Sequence, residues 1–166
     1  DRDVEIVQAA LGAMQSEIDL HLNLDNPTVS TASVPFISAA QRAAGWEGQQ
    51  WEQTIRVRQT TLDALIERFG EPHFVKIDVE GFEAEVLRGL SCPLASLSFE
   101  FTTIQRGVAQ AALAECERLG RYRYNAALGE SQRLLHARWL DGDAAAAWLE
   151  RLPDDANSGD IYAVLQ

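Results

Sequence analysis

Two carboxylates separated by one apolar residue, Asp78 and Glu80, close the run "FVKID" and its turn, where Phe74, Val75 and Ile77 predict a strand between Pro72 and Gly81. In an open parallel sheet, ligands bind beyond the carboxyl ends of the strands, so an acid at that point faces a crevice. There it can accept a hydroxyl proton or orient a cationic group. Gly81 lets the backbone reverse sharply or pass close to a ligand. Glu100, polar between Phe99 and Phe101, ends the next strand and would face the same crevice, where it could position substrate. Lys76 shares strand parity with Asp78 and could hold it ionised through a local ion pair. A structural role competes with all of this, because acids favour helix starts and Asp78 and Glu80 could simply cap the helix Phe82–Leu90. A hard-metal site from Asp78, Glu80 and Glu83 is weighed and set aside, since helix geometry points Glu83 away from the strand end; no metal is expected.

The elements that must position these residues follow from periodicity. Val4–Ala10 is predicted as a strand, and Ser16–Leu24 alternates Ile18, Leu20, Leu22 and Leu24 with polar residues as a half-buried strand, with His21 on its solvated face. From Asp25 to Gln53 the pattern fails; Pro27, Pro35, Gly45, Gly48 and the Ser30-Thr31-Ser33 cluster predict an irregular excursion with a short helix near Ala39–Ala44. Trp46 and Trp51 within it could line a pocket or pin the loop to the core. A strand over Thr54–Thr60 precedes an amphipathic helix with Leu62, Leu65, Ile66 and Phe69, started by a Thr60-x-x-Asp63 capping pattern and stopped at Gly70. After Phe74–Asp78 and its helix come a strand Ser96–Phe101, a helix Val108–Leu119, strands around Tyr122–Tyr124 and Arg133–His136, a helix Gly142–Leu152 and a closing strand Ile161–Leu165. This alternation predicts an α/β layer protein.

Composition excludes several classes. The 166 residues with 46% hydrophobic content suit one globular domain, and 14 basic against 25 acidic residues, a net charge of −11, leave no basic patch for nucleic acid. No apolar run reaches membrane-spanning length, and the first residues lack the pattern of a secretory signal, so a soluble cytoplasmic protein is expected. Cys92 and Cys116 have no metal-ligand spacing and are expected as small core residues. The chain opens on Asp1 rather than Met and enters a strand-like run at once, which suggests part of a longer domain.

The segment "TLDALIERFGEPHFVKIDVEGFEAEVLRG" resembles the signature of the FkbM family of S-adenosylmethionine-dependent methyltransferases, in its "TLD" helix, its Lys-Ile-Asp-x-Glu-Gly strand end and its Glu-x-x-Leu-x-Gly helix. The likeness extends from "VQAALGAMQSEIDLHL" through the Ser/Thr-bearing loop to "SFEF" and the terminal "SGDIYAVL". It is weak in the loop and over Arg121–Leu152.

The resemblance implies a Rossmann-like class I methyltransferase sheet, with S-adenosylmethionine as cofactor and a small-molecule acceptor, a sugar or other hydroxylated compound, methylated on oxygen. It makes Asp78 the acid nearest the transferring methyl, with Glu80 as second choice, and puts Gln8, Ala9 and Ala10 at the strand end beside the adenine. The family's glycine-rich cofactor turn is missing, because no Gly-x-Gly occurs in the sequence. Residues 1–166 are therefore expected to be the C-terminal part of a methyltransferase domain, with a sheet incomplete on its N-terminal side, so that methyl transfer is expected of the full-length parent and not of this fragment by itself. One edge of Phe74–Asp78 would be bare, inviting self-association, coverage by Val4–Ala10, or poor solubility. A noncatalytic, methyltransferase-like interaction module without cofactor binding is the alternative.

Overall fold

The computed structural model describes residues 4–166 as a mixed α/β protein built on two sheets. The smaller sheet has three strands in the order β1-β3-β2: β1 (Ala10–Leu11), β2 (Ser16–Leu22) and β3 (Gln53–Thr60). The larger has four in the order β4-β5-β7-β6: β4 (Val75–Ile77), β5 (Ser96–Thr102), β6 (Tyr122–Leu128) and β7 (Ser158–Leu165). Five helices connect them: α1 (Val34–Ala40), α2 (Leu62–Phe69), α3 (Glu83–Arg88), α4 (Arg106–Leu119) and α5 (Gly142–Arg151). None of the described helices is long and apolar enough to cross a membrane.

β4 and β5 are parallel, as a strand–helix–strand unit through α3 requires, whereas β7 runs antiparallel to both β5 and β6. Along β5, Leu97, Phe99 and Phe101 enter a core with Ile77, Leu87, Leu113, Cys116, Leu149 and Ile161. Because side chains alternate across a strand, Ser98 and Glu100 face the other way, together with their partners Tyr162 and Asp160 on β7. That opposite face carries the chemistry.

Several expectations need correction. Val4–Ala9 is not a strand: only Ala10 and Leu11 find a partner, on β3, and Val4 and Ile6 are exposed at 69% and 85%. An apolar alternation makes a strand only where a neighbouring edge accepts it. The excursion's helix is α1, several residues before Ala39–Ala44, because Ser33 caps it by accepting from the Phe36 amide and Pro35 occupies its first turn. Thr61, not Thr60, caps α2, its hydroxyl accepting from Ala64, while Asp63 accepts instead from the Ser91 amide. Gly81 does not open α3, which begins at Glu83. Arg133–His136 forms no strand; Leu135 makes a single backbone bond to Ala126. Cys116 is a core residue as expected, whereas Cys92 is exposed.

Candidate active site

One residue past the last β4–β5 pair, Ile77 opposite Phe99, the chain leaves the sheet at Asp78 beside Glu100. Glu100 is itself opposite Asp160 on β7. Glu80 folds back from the turn, so that Asp78, Glu80 and Glu100 each bring one carboxylate oxygen within 4.8 Å of the others. The acids singled out in the sequence thus meet at one point. Lys76 supplies the local cation, its Nζ donating to Asp160 Oδ1 at 2.8 Å and lying 3.3 Å from Asp78 Oδ2. Burial lowers the Lys76 pKa, but Asp160 and Asp78 outweigh it and hold the ammonium above its ordinary range. Asp160 is the site residue that sequence reasoning missed. Its signal was an acid at the start of an otherwise apolar closing strand, "SGDIYAVL".

Crowding of like charges perturbs the acids. Burial pushes Glu80 up to about 7, helped by Asp78 and Glu83. Burial raises Glu100 further, to about 9, with Glu80, Asp78 and Glu83 adding to the effect and a hydrogen bond to Asp78 favouring the protonated form. A carboxyl held protonated between carboxylates can act as a donor to them.

The turn is closed by Glu83. Buried at 3% exposure, its Oε1 accepts from the amides of Val79 at 3.3 Å and Gly81 at 3.1 Å. The residue capping α3, Phe82, makes no side-chain cap, so Asp78 and Glu80 are not the helix caps that the structural alternative required. Glu83 is committed to the turn and stands outside the acid trio. Glu80 and Gly81 both adopt positive φ, 52° and 85°. At Gly81 a Cβ would lie 2.5 Å from Gln105 Oε1 and 2.9 Å from Phe36 Cβ, so only glycine fits.

Asp78 also opens onto a cleft of about 710 Å³ between the smaller sheet and the turn after β4, within the range of small-molecule sites. Gln8, Ala9 and Ala10, the expected adenine-side residues, line this same cleft, with Leu20, Thr31, Val57 and Phe82. Glu80 and Glu100 are not among its lining residues; Glu100 instead borders a small buried void with Glu83 and Gln105. The loop aromatics stay apart: Trp46 and Trp51 pack edge-on against Phe36, and Trp51 Nε1 donates to the Val29 carbonyl, so they pin the excursion to the core. His21 pairs with Thr54 across the β2–β3 ladder, away from the acids.

The arrangement places a carboxylate, Asp78, on the wall of a cleft of small-molecule size, where it can accept a hydrogen bond or face a cationic group. The family model described as "Methyltransferase FkbM domain" matches residues 1–136. The Hexuronic acid methyltransferase AglP of Haloferax volcanii is 32% identical over 81 residues, which cover 48% of this chain and 34% of that protein. The chain therefore matches about a third of that relative's length. No solved structure matches the chain.

Proposed function

The chain belongs to the FkbM methyltransferase domain family, and from that premise we propose that it transfers a methyl group from S-adenosylmethionine to an oxygen of a sugar or other small hydroxylated acceptor. The observation that carries this reading is the joint placement of Asp78, Gln8, Ala9 and Ala10 around one cleft, with Glu80 and Glu100 behind Asp78. The hexuronic acid in the relative's name favours a sugar acid as acceptor. We read residues 1–166 as a single domain within a Rossmann-like architecture, of which the parallel β4–α3–β5 unit is a recognisable part.

The residues present fit the cofactor. Val7, Ala9, Ala10, Leu11 and Val57 offer an apolar wall for a purine, Gln8 a polar edge, and Asp78 a negative charge for a sulfonium. S-adenosylmethionine bound there would supply an electrophilic methyl group. Asp78 would orient the reacting centres and take the acceptor's hydroxyl proton as the oxygen attacks. Glu80, whose oxygen approaches that of Asp78 and whose charge changes near neutral pH, would receive the proton next. Glu100, protonated over most of the working range, would hydrogen-bond to Asp78 and keep the carboxylates together. A positioned base of this kind contributes ~10²- to 10⁴-fold, and fixed near-attack geometry ~7–11 kcal/mol.

The absence of any Gly-x-Gly turn favours a second reading, a noncatalytic module that has lost its cofactor cradle. Calorimetric titration of the chain with S-adenosylmethionine, followed by assay with glucuronic acid, separates the two. Micromolar binding with methyl transfer supports the enzyme, and no binding by any form of the protein supports the module.

A further inference from the structure

We propose that Thr31 is a positioning residue, whose hydroxyl locks the left-handed backbone at Glu80 and so aims the carboxylates of Asp78 and Glu80 toward each other beside the cleft. The catalytic consequence rests on the methyl-transfer reading; the positioning itself does not.

Thr31 lies in the excursion between β2 and β3, where its own backbone is registered against β2: its amide donates to the His21 carbonyl at 3.0 Å and its carbonyl accepts from the His21 amide at 2.8 Å. Its hydroxyl oxygen accepts from the Ser33 amide at 2.8 Å, which uses a lone pair and leaves the single O–H proton for the Glu80 carbonyl, 2.6 Å away. At 1% exposure no water competes for that proton. The bond therefore ties two segments 49 residues apart, one anchored in a sheet and the other carrying the acids.

Its target is the peptide that needs holding. Glu80 at φ 52° sits where a non-glycine residue is strained, and such conformations persist only when their surroundings over-determine them. Glu83 holds the amide of the Glu80–Gly81 peptide, and Thr31 holds its carbonyl. With both ends fixed the peptide plane cannot flip. With the carbonyl released it can rotate, withdrawing the Gly81 amide from Glu83 and loosening the turn that presents the Glu80 side chain to Asp78. Thr31 also lines the cleft, so whatever occupies the cleft packs against the residue that sets the turn.

The test compares the full chain with Thr31→Val, which keeps the shape and removes the O–H, and Thr31→Ser, which keeps it. Ser33→Ala loosens the start of α1 while sparing the Thr31 hydroxyl and controls for general loosening; Thr31→Ala replaces the valine variant if that fails to fold. We expect Gly81 amide exchange to quicken about tenfold in Thr31→Val and to return near the wild-type rate in Thr31→Ser. With S-adenosylmethionine and glucuronic acid as substrates, kcat should fall ~10- to 100-fold in Thr31→Val with KM within about twofold, and recover in Thr31→Ser. Unchanged Gly81 exchange in Thr31→Val, a retained kcat, or an equal loss in Ser33→Ala would overturn the proposal. Wild-type protein that transfers no methyl group while the exchange pattern holds would defeat the methyl-transfer reading and leave the positioning role standing.

Discussion

Glu100 on β5 and Asp160 on β7 stand directly opposite one another in antiparallel register, two carboxylates at a cross-strand position where like charges destabilise. Asp78 extends the row on the other side of Glu100, and Lys76 serves Asp160 and Asp78 together, so Glu100 has no ion-pair partner among the described residues. A sheet selected only for stability would place an apolar or basic residue there. Retaining these acids side by side costs stability, and beside them burial and like charge raise Glu80 to about 7 and Glu100 to about 9.

Replacing Glu100 by glutamine should therefore stabilise the fold by about 1 kcal/mol above about pH 9, where Glu100 would ionise among its acidic neighbours, because the amide stays neutral there. It should lower activity at the same time. Both Glu80 and Glu100 have folded pKa values, about 7 and about 9, raised above the ordinary 4.5, so the folded chain binds more protons than the unfolded one between those limits. Their contribution to stability is complete below about 4.5 and is lost as the pH climbs through about 7 and then about 9. Thermal melts from pH 5 to pH 10 should show Tm falling, with a shallower decline above pH 8 in Glu100→Gln; parallel curves would refute the assignment.

Glu80 should set the pH dependence of turnover. Since the group must be deprotonated to receive a proton from Asp78, kcat should rise with pH through an apparent value of about 7. In Glu80→Gln that limb should vanish and kcat drop ~10- to 100-fold, whereas Asp78→Asn should cost ~10²-fold or more at every pH with the fold still cooperative. A wild-type limb surviving in Glu80→Gln, or an Asp78→Asn variant of full activity, would remove those residues from the mechanism.

Gly81→Ala should be among the most damaging single changes in the chain. The added Cβ meets Phe36 Cβ and Gln105 at a backbone conformation with φ 85°, so strain and overpacking combine to a loss of ~2–4 kcal/mol. Denaturant midpoints would measure it; a loss below half a kcal/mol would show that α1 yields easily.

The two cysteines should behave as opposites. Burial pushes the Cys116 thiol up to about 12, with Glu117 and Glu115 adding to it, so it should resist alkylation at pH 8 until the chain unfolds, while exposed Cys92 labels at once. Cys116→Ser should lower stability by ~1–3 kcal/mol by burying a hydroxyl on an apolar face of α4. Equal labelling of both thiols in the native chain would contradict this packing.

Legibility in the sequence followed the range of the interactions. β2, β3, β5, β7 and helices α2, α4 and α5 were readable because their periodicity and stop signals are local; the strand end before Asp78 came with them, whereas β5 runs two residues past Glu100, to Thr102. Val4–Ala10 misled because its alternation lacked a neighbouring edge, which no local pattern reveals. Asp160 and Thr31 were passed over because each acquires its role only through residues far along the chain, Lys76 and Glu80 respectively. Glu83 was expected to point away from the strand end, but its actual work, gathering the amides of its own turn, depends on the positive φ of Glu80 that sequence does not disclose.

The edge of β4 carries the last prediction. β4 pairs with β5 alone among the described residues, and Val4–Ala9 does not cover its other side, which removes one of the ways in which a bare edge was expected to be satisfied. An unpaired strand edge offers backbone N–H and C=O groups to another chain. Two features blunt this one: it is only three residues long, and the exposed Lys76 sits at its centre. The net charge of −11 adds repulsion between copies, but it acts over a Debye length of ~10 Å at 0.1 M salt and is largely screened at 1 M. Self-association should therefore be weak at low salt and grow with both protein and salt concentration. Sedimentation velocity should show the shift, and Val75 and Ile77 amides should exchange more slowly as it proceeds. A monomer at every concentration and salt, with fast exchange at both residues, would mean that water satisfies this edge and that strand pairing has no part in the protein's assembly.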